Sequence, residues 1–162
     1  MQPHPCGYLG DRVRACTCGP IQVQRYRSRL SGPLLDRIDM HIEAPAVPVK
    51  DLIGQPAGEP SAAIRSRVNA ARAIQRTRFR GAARIYCNAQ MGSREVKQFC
   101  CLDAASADLL NQAIGRLGLS ARAYHRVLKI ALTIADLAGA ASPRFDHLAE
   151  AIGYRSLDRT MA

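Results

Sequence analysis

Apolar positions in the second half of the chain recur at intervals of three and four residues, which is the period of an amphipathic α-helix. The longest such stripe comprises Tyr124, Val127, Leu128, Ala131, Ile134, Ala135 and Ala138. Ser120 precedes the stripe and can cap a helix, and Gly139 follows it and can end one. The pattern therefore predicts a helix from Ser120 to about Ala138 with one buried face.

Four other stretches carry the same period and predict helices over residues 61–80, 93–100, 103–117 and 142–152. Ser61, Ser93 and Asp103 are the expected N-caps, and Gly118 is the expected end of the third helix. The residues expected to face inward are Ile64, Val68, Ala71, Val96, Phe99, Cys100, Leu109, Leu110, Ala113, Ile114, Phe145, Leu148, Ala149 and Ile152.

The first part of the chain has a different character. Residues 1–20 are rich in Pro, Gly and Cys and predict a loop or knuckle, and residues 21–30 predict a short helix. One further helical turn is expected at 34–37, and the apolar–polar alternation over 40–44 predicts a strand. Residues 45–60 contain four prolines and two glycines, a composition typical of a linker. We therefore predict a mainly α protein with two domains, residues 1–50 and 61–162.

The chain has a net charge of +10, and only three of its basic residues, Lys50, Lys97 and Lys129, are lysines. This excess favours affinity for phosphate, in a nucleotide or a nucleic acid. A GC-rich genome would also raise the proportion of arginine.

The longest apolar run is well short of the roughly 20 residues that span a bilayer. The first six residues are polar and interrupted by proline, unlike a signal peptide. These features predict a cytoplasmic protein that has no contact with membrane.

Two short pairs of soft ligands lie near the start, His4 with Cys6 and Cys16 with Cys18. Four ligands of this kind suit a tetrahedral structural zinc site. The Cys-x-Cys spacing is tighter than the usual Cys-x₂-Cys, so unligated thiols remain an alternative. A disulfide is disfavoured in a reducing cytoplasm.

Several longer blocks are shared with one family of ring-forming ATPases: His4 to Asp11, Gly32-Pro33-Leu34-Leu35-Asp36-Arg37-Ile38-Asp39, Asn88 to Met91, Leu117 to Arg126 and Tyr154 to Arg159. On these blocks the chain resembles the C-terminal portion of the magnesium-chelatase-like AAA+ ATPases, the YifB or competence protein ComM family. The resemblance implies the end of an α/β ATPase core followed by a helical lid. The phosphate-binding pattern Gly-x-x-x-x-Gly-Lys-[Ser/Thr] is absent from the sequence, so we do not expect this chain to hydrolyse ATP alone.

The resemblance also implies roles for three arginines. Arg37 matches the arginine finger that one subunit supplies to its neighbour's ATP site. Arg122 matches a second arginine that senses the γ-phosphate of ATP bound with Mg²⁺, and Arg126, one turn later, is a weaker candidate. The alternatives are that Arg37 pairs with Asp36 or Asp39 and that Arg122 is merely an exposed helix residue. The implied assembly is a ring, expected to be a hexamer, that acts on DNA as a branch-migration helicase.

The chain departs from the family at Gln2, where the family has the Asn that would orient the attacking water. We do not assign that role to Gln2.

The predicted 61–80 helix carries a stripe of basic residues near one face, Arg65, Arg72 and Arg76, with Arg67, Arg78, Arg80 and Arg84 adding charge. This stripe could bind a phosphate backbone, face solvent or meet a neighbouring subunit. Aromatic residues are few and tryptophan is absent, which disfavours a base-stacking platform.

Two other functions remain open from the sequence. One is a stand-alone zinc-bearing helical module that binds DNA or the intact ATPase without touching nucleotide. The other is an inert product of a truncated gene. A hydrolase is disfavoured because His41, His125 and His147 are scattered and no nucleophile motif accompanies them.

Overall fold

The computed structural model describes residues 4–9, 14–29, 31, 34, 37–42, 44, 47, 53 and 58–155. The protein is mainly helical, as predicted, and the described residues form no β-strand. The chain divides into two compact units, Met1–Ile38 with Ile42–Gly58 and Asp39–His41 with Glu59–Ala162. None of the described helices combines the length and the apolar character needed to cross a bilayer.

The first unit contains helix α1, Pro20–Arg27. Pro20 occupies the first helical turn, where its missing N–H leaves no hydrogen bond unmade. The side chain of Gln22 accepts a hydrogen bond from the Gly19 N–H at 3.2 Å and so closes the helix start. The predicted helix over 21–30 is therefore present but shorter, and Leu30 lies outside the described residues.

The second unit is a helical bundle. Its elements are α2 (Ser61–Arg78), a 3₁₀ turn (Asn88–Gln90), α3 (Ser93–Phe99), α4 (Ala104–Leu117), α5 (Ala121–Leu137) and α6 (Phe145–Gly153). Helix α5 is central, since it packs against α2, the 3₁₀ turn, α3 and α6, and α4 completes the bundle against α6. The predicted helix order is confirmed.

The buried face of α5 is broader than a single stripe. Leu132 is fully buried although it was not among the predicted inward positions, and Ala138, at the C-cap, is exposed. A helix with neighbours on several sides buries a wide arc of its surface.

The helix ends show which capping predictions hold. Asp103 accepts a hydrogen bond from the Ser106 N–H at 2.8 Å, and Ser120 accepts one from the Ala123 N–H at 3.2 Å. Gly118 ends α4 at a φ of 59°, in the left-handed region that glycine adopts readily. The predicted caps Ser61 and Ser93 are wrong, because both are the first helical residue; Pro60 and Gly92 hold the cap positions.

Some predicted core residues are exposed. In α2, Ile64 and Val68 are 43% and 45% exposed, although Ala71, on the same helix face, is buried. The described bundle therefore covers only the C-terminal half of α2. In α6, Phe145 and Ala149 are exposed, because the buried face is formed instead by Leu148, Ala151 and Ile152.

The predicted strand over 40–44 is also wrong for its described residues, Met40, His41, Ile42 and Ala44. A strand needs a partner for its backbone hydrogen bonds. The His41 N–H donates instead to the carbonyl of Tyr154, just after α6, at 2.7 Å. This bond ties the residue 39–41 segment to the helical unit.

Candidate functional site

The Cys/His ligand pairs predicted from the sequence meet in space. The Nδ1 atom of His4 lies 3.0 Å from the Sγ atom of Cys16, and the Sγ atoms of Cys6 and Cys16 are 3.5 Å apart. The donor atoms of His4, Cys16 and Cys18 all lie within 4.8 Å of one another. Cys6 adjoins this group of three through its contact with Cys16, and we call the four residues the Cys/His cluster.

Hydrogen bonds among these groups shift the pKa values of Cys6 and Cys18 in opposite directions. The Tyr8 N–H donates to the Cys6 sulfur at 3.4 Å, and this bond, with a further one from Cys18, lowers the pKa of Cys6. The bond to Cys6, assisted by desolvation, raises the pKa of Cys18 to about 11. The cluster therefore stabilises a thiolate at Cys6 and a thiol at Cys18.

The donor set fits zinc. A Zn–S distance of about 2.3 Å in a tetrahedron places two sulfur ligands roughly 3.8 Å apart. The separation of 3.5 Å between Cys6 and Cys16 is close to that edge. Three thiols and one imidazole would close the coordination sphere, as in a structural rather than a catalytic site.

Arg37 is exposed, and its backbone N–H donates to the carbonyl of Leu34 at 3.0 Å, which forms a turn there. One alternative partner, Asp39, is an ion-pair partner of another arginine. The other, Asp36, lies outside the described residues, as does Gln2.

Arg122 is the second residue of α5, two residues after the Ser120 cap, and its side chain is exposed. The first turn of a helix carries unpaired N–H groups and a partial positive charge. The N-terminus of α5 and the guanidinium of Arg122 thus place positive charge at the same position, which suits an anion.

Arg126 lies one turn further along α5 and forms an ion pair with Asp39. The carboxylate of Asp39 is more exposed than the guanidinium, at 56% against 21%. Within the helical unit, this pair joins α5 to the 39–41 segment. Arg126 is thus already engaged by a carboxylate, whereas Arg122 has no such partner among the described residues.

A cavity of about 390 Å³ lies beside this ion pair, within the helical unit. Asp39, Arg126 and Tyr154 contribute to its wall, together with apolar side chains of α5. The ammonium group of Lys129, also in the wall, donates to the carbonyl of Ala89 at 3.0 Å. The polar groups in the wall of the cavity are therefore largely paired with one another.

Two of the arginines that add charge beside the predicted stripe of α2 are paired with carboxylates. Arg67 forms a bidentate pair with Glu59, at 2.9 and 2.8 Å. Arg78 turns inward and pairs with Asp136 of α5 at 2.5 Å. The predicted stripe itself, Arg65, Arg72 and Arg76, is exposed, and its role stays a prediction.

The Arg78–Asp136 pair is the centre of a polar network that sequence reasoning missed. Asp136 also accepts hydrogen bonds from the side chains of Asn88 and Gln75, at 2.8 and 3.2 Å. Asn88 in turn accepts a bond from Arg78 at 2.8 Å. The available signal was an aspartate set among the apolar residues of α5, since a buried carboxylate requires a partner.

Comparison with known proteins agrees with this architecture. Residues 58–155 match the family described as magnesium chelatase, subunit ChlI C-terminal, and residues 1–52 match magnesium chelatase, subunit ChlI. The chain is 44% identical to competence protein ComM of Haemophilus influenzae, over 99% of this chain and 30% of that protein. It is 40% identical to the uncharacterized protein YifB of Escherichia coli, over 99% of this chain and 31% of that protein.

A protein of Mycobacterium tuberculosis is 33% identical over 96% of this chain and 30% of its own length. The chain thus spans about 30% of the length of these relatives, and it aligns with the C-terminal portion of ComM and YifB. The first family matches well over half of the chain. This chain therefore belongs to the magnesium chelatase ChlI family, alongside ComM and YifB.

Proposed function

We propose that this chain is the part of a magnesium-chelatase-like AAA+ ATPase that completes ATP sites in a ring of subunits. The observation that carries the proposal is the position of Arg122, exposed at the start of the central helix α5 in a chain of this family. Its guanidinium binds the γ-phosphate of ATP, and the helix N-terminus adds to the attraction.

Arg37 acts as the finger for the ATP site of the neighbouring subunit. A positioned guanidinium stabilises the charge that develops on the transferred phosphoryl group. Arg37 is exposed and lies in a turn, where its side chain can reach outward. Arg126, one turn after Arg122, is the weaker candidate for a nucleotide contact, because its guanidinium already pairs with Asp39.

The assembled ring, expected to be a hexamer, acts on DNA in this proposal. The net charge of +10 favours a polyanionic partner, and one relative is named as a competence protein. The Cys/His cluster binds a structural zinc ion that holds residues 4–6 and 16–18 together. If the ATP-site roles fail, the cluster supports the second candidate, a zinc-bearing module that binds DNA or an intact ATPase.

A chimera tests the ATP-site proposal. The corresponding C-terminal portion of the Haemophilus protein is replaced by this chain, and ATP hydrolysis by the purified chimera is measured. We expect Arg37→Ala to reduce the rate by about 10³–10⁵-fold. Arg122→Ala should reduce hydrolysis as well and weaken ATP binding. Arg116→Ala removes an exposed arginine from the last turn of α4 and serves as the matched control.

Mixing two inactive chimeras then tests whether Arg37 acts across the subunit interface. One carries Arg37→Ala, and the other has lost the lysine of its phosphate-binding loop. A ring that contains both has interfaces with an intact loop and an intact finger, so activity should return. If Arg37 acts within its own subunit, no site in the mixture is complete and activity stays absent. Chimeras in which Arg37→Ala and Arg122→Ala behave like Arg116→Ala would refute the ATP-site proposal.

A further inference from the structure

The longest stretch of the chain without an acidic residue includes α2 and the loop that joins it to the 3₁₀ turn. No Asp or Glu occurs from Pro60 to Arg94, although this stretch carries eight arginines. Two of these are neutralised, Arg67 by Glu59 and Arg78 by Asp136. Those in the connecting loop, Arg80 and Arg84, are exposed and pair with no carboxylate of the described residues.

The same loop carries the most accessible aromatic ring of the protein. All five tyrosines lie in the described part of the chain; Tyr86 is 65% exposed, and the other four are partly buried. No described aromatic or cationic side chain lies against its ring. An aromatic ring with open faces next to arginines is the arrangement with which proteins bind single-stranded nucleic acid.

The loop is closed by the buried polar network. Arg78, at its start, donates to Asn88, at its end, and both donate to the buried carboxylate of Asp136. Phe79 and Asn88 are 5% and 1% exposed, so both ends are fixed in the core. The chain between them is consequently short and tethered, which limits how far Tyr86 can move.

The backbone conformation of Arg84 is an independent indication that this loop has a function. Its φ of 68° is in the left-handed region, which a non-glycine residue rarely adopts. Such strain persists where the surroundings impose it, and it is concentrated at functional sites. A glycine would adopt this backbone without strain, so the side chain at this position has a cost in stability.

We propose that the loop of residues 80–87 contacts single-stranded DNA, with Tyr86 stacking on a base and Arg80 and Arg84 binding the flanking phosphates. The inference rests on the DNA-binding part of the proposed function and places that contact in the helical unit. Stacking on tyrosine tolerates any base, and phosphate contacts carry no sequence information, so binding is indifferent to sequence.

The test uses the 162-residue chain and a fluorescein-labelled oligodeoxythymidine, with binding followed by fluorescence anisotropy. We expect Tyr86→Leu to weaken binding by about five-fold or more and Tyr86→Phe to bind like the unmodified chain. Arg84→Gly keeps the left-handed backbone but removes the cation. It should lower the slope of log affinity against log salt by about 0.7. Arg116→Ala, which removes the same charge from α4, should change neither quantity by a comparable amount.

The outcomes separate this inference from the wider proposal. If the chain binds the oligonucleotide but Tyr86→Leu and Arg84→Gly behave like Arg116→Ala, DNA is a partner and the loop is not the contact. If the chain does not bind the oligonucleotide, the loop contact is refuted, while the chimera assay still decides the ATP-site roles. Circular dichroism melting of each variant separates lost contact from lost fold.

Discussion

Asp136 on α5 receives both arms of the Arg78 guanidinium, at 2.8 and 2.5 Å, although its own side chain is completely buried. The Arg78 side chain is itself only 10% exposed. The pair therefore joins the end of α2 to the central helix inside the bundle, where water does not screen the charges. A buried charge without its partner is costly, so the two residues depend on each other.

Loss of either partner should destabilise the helical unit strongly. Asp136→Ala leaves the buried guanidinium of Arg78 and the side-chain amides of Gln75 and Asn88 without their shared acceptor. We expect a loss of about 3–5 kcal/mol in the free energy of unfolding. Urea unfolding followed by circular dichroism measures it.

The exposed ion pair of Arg67 and Glu59 provides the control. Its side chains are 57% and 40% exposed, so Arg67→Ala should cost about 1 kcal/mol or less. Equal losses for Asp136→Ala and Arg67→Ala would show that the buried pair contributes no more than a surface pair.

A second prediction concerns Leu132, which is fully buried on α5. Leu132→Ala leaves a cavity in the close-packed core and should cost about 2–5 kcal/mol. Leu137, on the same helix and 45% exposed, provides the same substitution without a buried site. Leu137→Ala should cost well under half as much, and thermal melting of both variants compares them. Similar losses for both would contradict the burial of Leu132.

The cap of α4 should make stability depend on pH. The hydrogen bond from the Ser106 N–H lowers the pKa of Asp103 below its ordinary value of 3.8. Folding thus favours the ionised form of Asp103 over its protonated form. Its contribution is complete above the unfolded pKa and is lost as the pH falls through the folded pKa.

Asp103→Asn isolates this effect, because an asparagine caps a helix without titrating. The difference in unfolding midpoint between Asp103→Asn and the unmodified chain should shift in favour of asparagine as the pH falls from neutral to below 3.8. A difference that stays constant over this range would show that the ionised carboxylate does not contribute.

The helices of the second unit were predictable because their signals are local. Asp103, Gly118 and Ser120 act within three or four residues of their own positions, so the sequence contains the whole interaction. The Cys/His cluster was found for a related reason: ligand type and spacing restrict the chemistry even without a fold.

The failures involve partners that are distant along the chain. Whether Ile64 is buried depends on what packs against the start of α2, which helical periodicity does not reveal. The residue 40–44 alternation indicated a strand, but the His41 N–H finds its acceptor at Tyr154. The pairing of Arg78 with Asp136 spans 58 residues, and only the bundle brings them together. Of the proposed nucleotide-site residues, Arg37 and Arg122 remain predictions.

The last prediction is that the Cys/His cluster binds zinc at one ion per chain. Protein expressed in zinc-supplemented medium and purified without chelator should carry equimolar zinc by mass spectrometry of the metal. Cys16→Ser should abolish this, because Cys16 lies against both His4 and Cys6. Cys101→Ser, which alters an exposed cysteine whose thiol donates to the Gln98 carbonyl, should retain the metal.

Since His4 and the three cysteines belong to the first unit, zinc removal should leave the melting of the helical unit unchanged. The site would be ruled out if the unmodified protein carried no zinc or if Cys16→Ser still carried one zinc ion per chain. A lower melting temperature of the helical unit without zinc would contradict a role confined to the first unit.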